Sequence, residues 1–382
     1  MRYFILAGEA SGDLHGARLA EGLRKADPNA DMHGWGGDQM AAAGVAISKH
    51  YRELAFMGFL EVVKNLPEIL GNFRTIKRQI TELQPDALIL IDYPGFNLRM
   101  AKWAAEKGLR VFYFISPQLW AWHTSRAKQI GRYVERMYVI LPFEKDFYAS
   151  HGIEVDYFGH PLAERLQHFK PDPDFHQKYG LDPGVKTVAL LPGSRRQEIR
   201  RMLPVMLSIK PDFPHVQFAI AGAPALERAF YQPFLEQHPW AHFIPNDTYN
   251  LLANSAAAMV TSGTATLETA LCGVPQVICY KANRISYQLA KMLVNKDLRH
   301  IGIVNLIAGR EIVPELIQDE FTAERLKEEL WNLLDLKTYL RINKDYEDLR
   351  KQLQGENPAG KVAGDIVRRL RSEGKATGPD RG

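Results

Sequence analysis

Cysteine is almost absent from this chain: two residues in 382, Cys272 and Cys279, both in apolar surroundings. That excludes a disulfide scaffold or a cysteine-rich metal site, and reads as two buried free thiols in a reducing compartment. No apolar run approaches the ~20 residues of a membrane-spanning helix. No basic segment leads into a long apolar one at the start; Arg2-Tyr3-Phe4-Ile5-Leu6-Ala7 runs straight into a loop and predicts a strand. These absences point to the cytosol and leave contact with a membrane surface open. Neither sign of charge dominates, with 48 basic against 44 acidic residues and a net charge of +4. That balance gives no support for nucleic-acid binding, while a small basic excess suits an anionic substrate or membrane surface. A Gly-Lys-Ser/Thr phosphate loop is missing. So is a complete Gly-x-Gly-x-x-Gly, because the Gly34-Trp35-Gly36-Gly37 run lacks the last glycine. The latter argues against a nicotinamide-dependent oxidoreductase.

What is present is ordinary globular composition, 46% hydrophobic and 24% charged, at a length that suits two domains. The stretch Met259–Thr269 is the most informative. Ala256–Val260 predicts a buried strand, Thr261-Ser262-Gly263-Thr264 a small-residue turn, and Leu267, Ala270 and Leu271 one apolar stripe of a helix that Gly273 and Pro275 end. Backbone N–H groups at such a helix start, here at Ser262, Gly263 and Thr264, suit a phosphate or diphosphate. Glu268 lies one turn later. A carboxylate repels phosphate but can accept the hydroxyls of a ribose. The competing reading is a capped helix with a surface glutamate.

The rest of the chain alternates strands and helices. Gly8-Glu9-Ala10-Ser11-Gly12-Asp13 follows the first strand and opens a helix; Glu9, Ser11 and Asp13 fit turn formation and capping as well as substrate contact. Asp86–Asp92 predicts a strand with Asp92 at its C-terminal end, where open α/β sheets place ligands. Apolar and aromatic neighbours there favour a base, against the alternative of a cap on the Pro94-Gly95 turn. Strands are also expected at Val111–Ile115, Glu135–Leu141, Val155–Phe158, Val188–Leu191, Val216–Ala221, Phe243–Pro245 and Gln276–Tyr280. Trp120 and Trp122 suit a cleft wall or the core, and His160 before Pro161 is more often structural than catalytic. Leu54–Leu60 is uncharged and includes Phe56, Met57, Phe59 and Leu60, either a buried helix or an acyl-chain or membrane contact. Ser194 with Gln197 predicts a capping box. Arg195 and Arg196 begin the same helix against its dipole, which suggests that an anion is expected there. Cations recur from Lys281 through Arg284, Lys291, Lys296 and Arg299 to Arg310. Proline-rich residues 164–184 separate domains at 1–165 and 185–340. Helices over 341–371, the last capped by Asn357 and Pro358, and a disordered tail at 372–382 complete the expectation.

Eight stretches appear in order over most of residues 4–315: Gly8–Asp13, Ile91–Asn97, Ser116–Trp122, Leu141–Glu144, Gly159–Pro161, Leu191–Arg195, Ser262–Glu268 and Asn305–Arg310. Together they resemble the lipid-A-disaccharide synthase family. Val304 departs from the proline that the family commonly has before the asparagine. The resemblance implies an α/β GT-B fold: two Rossmann-like domains facing a cleft, acceptor side first, with the last helices crossing back to the N-terminal domain. It implies an inverting transfer from UDP-2,3-diacylglucosamine to 2,3-diacylglucosamine 1-phosphate (lipid X), giving a β-1,6 disaccharide and UDP at the cytoplasmic face of the inner membrane. On that reading Asp92 is the base, with Glu9 in reserve and His160 behind it. Arg195 and Ser262–Thr264 hold the diphosphate and Glu268 the ribose, while Ser11, Asn305 and Arg310 line the substrate cleft. No cofactor and no metal are expected, contact with the membrane is peripheral, and a homodimer is left open. The rivals are a GT-B UDP-sugar epimerase, a transferase with another acceptor, and a nucleotide-sugar binding protein without catalysis.

Overall fold

The computed structural model describes residues 1–54, 66–121, 126–283 and 299–373. The chain forms two compact units, Met1–Glu164 together with the chain from Gly355 onward, and Arg165–Gln354. The first unit holds β1 (Arg2–Ala7), β2 (Asp31–Gly36), β3 (Ala46–His50), β4 (Ala87–Ile91), β5 (Arg110–Phe114), β6 (Arg136–Val139) and β7 (Val155–Tyr157). All pair in parallel, in the order β3-β2-β1-β4-β5-β6-β7. Its strands are apolar on both faces because helices cover both. Phe4, Leu6, Leu88, Leu90 and Tyr113 face one layer of core, and Tyr3, Ile5, Ile89, Ile91, Phe112 and Phe114 the other.

The second unit holds β8 (Lys186–Leu191), β9 (Val216–Gly222), β10 (His242–Pro245), β11 (Ala257–Thr261), β12 (Gln276–Tyr280) and β13 (Glu315–Ile317). The order β10-β9-β8-β11-β12-β13 is again parallel throughout. In each sheet the first strand in sequence lies inside, between the second and the fourth. That is the Rossmann order, with a switch point at β1/β4 and another at β8/β11.

Three strands have no counterpart in the sequence reading. β2 carries two glycines and a histidine, and the partial fingerprint at Gly34–Gly37 is its end. Gly34 is required there because a Cβ would collide with the Ile5 carbonyl oxygen. β3 is a polar edge strand, and β13 has three residues.

The C-terminal helices also divide differently from expectation. Helix Leu336–Leu353 belongs to the second unit, where Arg350 Nε donates to the Leu271 carbonyl at 3.2 Å and Tyr346 meets Gln276 at 3.1 Å. Only helix Pro358–Glu373 packs on the first unit. Its stripe Val362, Ala363, Ile366 and Val367 is buried against helix Ala10–Ala26, close to Gly22. Asn357 Oδ1 accepts the Gly360 N–H at 3.0 Å, the expected cap. Residues 372 and 373 continue this helix rather than starting a tail, and 374–382 lie outside the described residues.

Candidate active site

At the first switch point, β1 leads through Gly8 and Glu9 into helix Ala10–Ala26, and β4 through Asp92 and Tyr93 into helix Pro94–Glu106. Gly8 has no Cβ because the Tyr93 ring fills that space. Asp92 and Tyr93 both have left-handed backbones, at φ 42° and 50°, and Ile115 after the neighbouring β5 is at 67°. A β-branched residue there is a genuine outlier, so strain collects at the ends of β4 and β5, as it does at functional sites. Three hydrogen bonds hold the Asp92 backbone. Its carbonyl accepts from Tyr113 Oη at 2.6 Å and from Asn97 Nδ2 at 2.7 Å, and its N–H donates to the Phe114 carbonyl at 3.1 Å. Burial, helped by the negative charge of Glu9, pushes the Asp92 carboxyl up to about 6, while the Tyr93 N–H pulls it down. Such a group is ionised at neutral pH and still basic enough to take a proton. Glu9 precedes helix Ala10–Ala26, exposed and without a capping hydrogen bond, and Ser11 is exposed in its first turn.

Other candidates of this unit have structural duties. The buried Asp13 carboxylate accepts the N–H groups of Gly37, Gln39 and Met40 at 2.7, 3.1 and 3.0 Å, capping helix Asp38–Ala42 from a distance. His160 is buried, and its Nδ1 accepts the Leu162 N–H at 3.1 Å. Burial and the neighbouring His15 push it down to about 3, which keeps it neutral. Trp120 is buried edge-on against Phe143, a core position rather than a cleft wall. Glu144 is buried too. Its carboxylate accepts from the N–H groups of Ile140 and Leu141, and burial pushes it up to about 7. Trp122 and the apolar group Phe56, Met57, Phe59 and Leu60 lie outside the described residues.

At the second switch point β8 and β11 run side by side, so the loops Pro192–Arg195 and Ser262–Gly263 leave adjacent strand ends. The capping box differs from expectation. Arg195 is the N-cap of helix Arg196–Ser208, and Glu198 Oε2 accepts the Ser194 and Arg195 N–H groups at 3.1 and 3.2 Å. The left-handed Gly193, at φ 117°, leaves room for that carboxylate. The Arg195 guanidinium is 71% exposed with only a loose contact to Glu198 at 3.5 Å, so it is available to an anion. Helix Thr264–Leu271 starts from Gly263 with no side-chain cap, and Thr264 is exposed. Its first N–H groups are therefore not taken by a capping side chain. Ser262 Oγ donates to the Ile301 carbonyl at 3.3 Å.

Glu268 accepts a 2.9 Å hydrogen bond from Tyr249 Oη. Burial raises its carboxyl, while Tyr249 and the positive charge of Arg165 lower it. The Arg165 guanidinium lies 5.0 Å over the Tyr249 ring. Sequence reading passes over both residues. Nothing local marks them, because they meet Glu268 only through the fold.

Asn305 and Arg310, expected to line a substrate cleft, both have partners within their own unit. Asn305 is fully buried. Its Nδ2 donates to the Val313 carbonyl and to Glu315 Oε1, both at 2.8 Å, and its Oδ1 accepts from Ile312 and Val313 at 2.8 and 3.1 Å. Glu315 in turn accepts the Ile301 and Gly302 N–H groups at 2.9 and 3.1 Å. The pair clamps the loop, and the asparagine amide is fully used. Arg310 pairs with Asp345 at 2.5 Å. Arg284, Lys291 and Lys296 of the basic region lie outside the described residues. The Asp-x-Asp spacing at Asp172-Pro173-Asp174 is consumed locally, since Asp172 Oδ1 accepts the Asp174 N–H at 3.0 Å and Lys178 lies 3.9 Å from Oδ2. Among the described residues no group of three or more His, Cys, Asp or Glu could hold a metal ion. Cys272 and Cys279 are free thiols, the first only partly buried.

Two parallel sheets of Rossmann order, each with acidic, basic or small polar residues at its switch point, place the chain in the GT-B class. Solved structures share the fold. A UDP-GlcNAc 2-epimerase from Neisseria meningitidis bound to UDP-GlcNAc matches with a TM-score of 0.63 and 14% identity, over 97% of this chain and 100% of that one. The glycotransferase of kitacinnamycin matches at 0.64 and 14%, over 97% and 98%. The family model described as lipid-A-disaccharide synthetase matches residues 3–363. The lipid-A-disaccharide synthase of Geobacter metallireducens is 41% identical over 375 residues, 97% of each chain. The chain belongs to the lipid-A-disaccharide synthetase family and is a hexosyltransferase of lipid A biosynthesis.

Proposed function

We propose that the chain transfers the sugar of UDP-2,3-diacylglucosamine to the 6-hydroxyl of 2,3-diacylglucosamine 1-phosphate with inversion, releasing UDP. The observation that carries the catalytic assignment is Asp92, a carboxylate held at a switch point by three backbone hydrogen bonds and pushed up to about 6. An α-linked donor and a β-linked product need one in-line displacement. Asp92 takes the proton of the attacking hydroxyl, a contribution of about 10²–10⁴ in rate. The negative charge of Glu9 keeps that carboxylate basic, and Glu9 is the second candidate for the proton. Arg195 and the uncapped start of helix Thr264–Leu271 receive the charge that grows on the departing diphosphate; fixed donors of this kind are commonly the largest catalytic contribution. They also supply what a divalent metal would otherwise supply. Glu268 accepts the ribose hydroxyls, and the exposed Ser11 borders the acceptor.

The acyl chains of both substrates call for a peripheral position on the cytoplasmic face of the inner membrane. Among the described residues no helix is long and apolar enough to cross a membrane. Phe56, Met57, Phe59 and Leu60 are the proposed lipid contacts, where each buried methylene contributes ~0.8 kcal/mol. A homodimer is compatible with this scheme and is not required by it.

The test is one reaction in EDTA with both acylated substrates, following UDP and disaccharide together. Equal amounts of the two are expected. UDP without disaccharide would assign a different acceptor, and turnover of non-acylated UDP-GlcNAc alone would assign an epimerase.

A further inference from the structure

A cavity of about 220 Å³ opens between helix Pro94–Glu106, which starts two residues after Asp92, and helix Ala127–Tyr133, lined by Pro94, Gly95, Leu98, Arg99, Arg126 and Gln129. At ~30 Å³ per water it has room for a phosphate group with hydration. Among the described residues its lining contains two arginines and no acid. Neither guanidinium has a carboxylate partner among the described residues. Arg110 and Arg136 of the same unit, by contrast, pair with Glu135 and Asp156 at 2.5 Å. Arg99 is instead steadied over the Phe73 ring, 5.9 Å from its centroid. Two like charges at one concavity repel each other unless an anion joins them, and a guanidinium fork fits the oxygens of a phosphate. The first turn of the 13-residue helix Pro94–Glu106 adds to this. Its second residue, Gly95, is exposed with open space around it, and Arg99 stands four residues on, along the same face.

We propose that this cavity binds the phosphate monoester of the acceptor. The identity of the ligand rests on the reaction proposed above; the anion site rests on the cavity itself. Gly95 is three residues from Asp92, a span of at most ~10 Å. In a hexopyranose 1-phosphate C1 and C5 flank the ring oxygen, so the anomeric phosphate and the 6-hydroxyl leave the same edge of the ring. A phosphate seated between Arg99 and Arg126 therefore keeps the 6-hydroxyl within reach of Asp92. Recognition there predicts a preference for an acceptor that carries the phosphate over one that has lost it.

The experiment measures binding of lipid X and of its dephosphorylated analogue, both in neutral mixed micelles, to the full chain and to Arg99→Gln, Arg126→Gln and the double variant. UDP binding is the control for folding. The double variant should bind lipid X about tenfold or more weakly, the scale of a lost hydrogen-bonded charge contact, with the dephosphorylated analogue and UDP nearly unaffected. A double variant that keeps the wild-type preference for the phosphorylated acceptor overturns the proposal. So does equal displacement of lipid X by phosphatidylglycerol added to the micelles, which would make the cavity a bilayer headgroup site. The two readings fail separately. If lipid X binding depends on the arginines but no disaccharide forms, the reaction is wrong and the phosphate site stands. If disaccharide forms and the arginines do not matter, the site is wrong and the reaction stands.

Discussion

Tyr113 donates a 2.6 Å hydrogen bond to the backbone carbonyl of Asp92, not to its carboxylate. The tyrosine fixes the backbone from which the carboxylate projects and takes up neither of its oxygens. Asp92→Asn is the clean test, because asparagine tolerates the left-handed backbone that Asp92 adopts, at φ 42°, better than alanine does. Turnover should fall by about 10²–10⁴ while UDP affinity stays unchanged. In the wild type, kcat/KM should rise with pH through about 6 and then level, as the carboxyl ionises. Near-normal turnover of the asparagine variant would move the base elsewhere.

Tyr249→Phe should weaken UDP binding, and more at a lower pH than at a higher one. The Tyr249 hydroxyl favours the ionised form of Glu268, whose carboxyl burial already raises. Without it the carboxyl rises further and loses charge at the acid end. A hydrogen bond to a charged group is worth ~1.5–3 kcal/mol, so the loss is about ten- to a hundredfold where Glu268 is ionised in the wild type. Calorimetric titration at the two pH values reads it, with Glu268→Gln as the pH-insensitive reference. A defect of the same size at both pH values would remove the coupling.

Glu144 makes stability pH-dependent. Its folded value, about 7, lies above the ordinary 4.5, so the folded chain binds the proton more tightly. The associated stability is fully present below 4.5 and is lost as pH rises through 7. Each tenfold gain in proton affinity is worth about 1.4 kcal/mol, so the loss is on the order of 3 kcal/mol between roughly pH 4.5 and pH 8. Glu144→Gln should flatten that part of the curve in denaturant titrations. A variant with the full wild-type slope would place the titration on another group.

Asn305→Ala should cost stability, not UDP affinity. It strips partners from Glu315 and from the buried Ile312 and Val313 N–H groups, a loss of ~2–4 kcal/mol. Thermal unfolding should show the loss, while UDP titration of the folded protein stays near wild type. The opposite pattern would return Asn305 to the substrate.

Much of this protein is legible along the chain. The apolar strands and the small-residue turns that follow them are local features. Helix periods and glycine stops obey neighbours three and four residues away. Asp92, Arg195 and Ser262–Thr264 could be singled out because each stands at the junction of a strand and a helix, and Glu268 because it lies one turn beyond such a junction, which is visible in one dimension. Glu198 took the capping role expected of Gln197 because Gly193 left room for its carboxylate, which spacing alone does not reveal.

What the tertiary structure decided is which polar groups are already spent. In one dimension Asp13, His160, Asn305 and Asp92 are equivalent, each a polar residue in a distinctive motif. In three dimensions Asp13 closes on three N–H groups of a distant helix, His160 is buried and neutral, and Asn305 has used its amide on its own loop. Asp92 differs from the other three, because the fold satisfies its backbone rather than its side chain with distant partners. The same holds for Tyr249 beside Glu268 and for Arg99 beside Arg126. Sequence determines which chemistry the chain can carry. Hydrogen-bond saturation and burial, which depend on partners far away in the chain, determine which of those groups remain free to perform it.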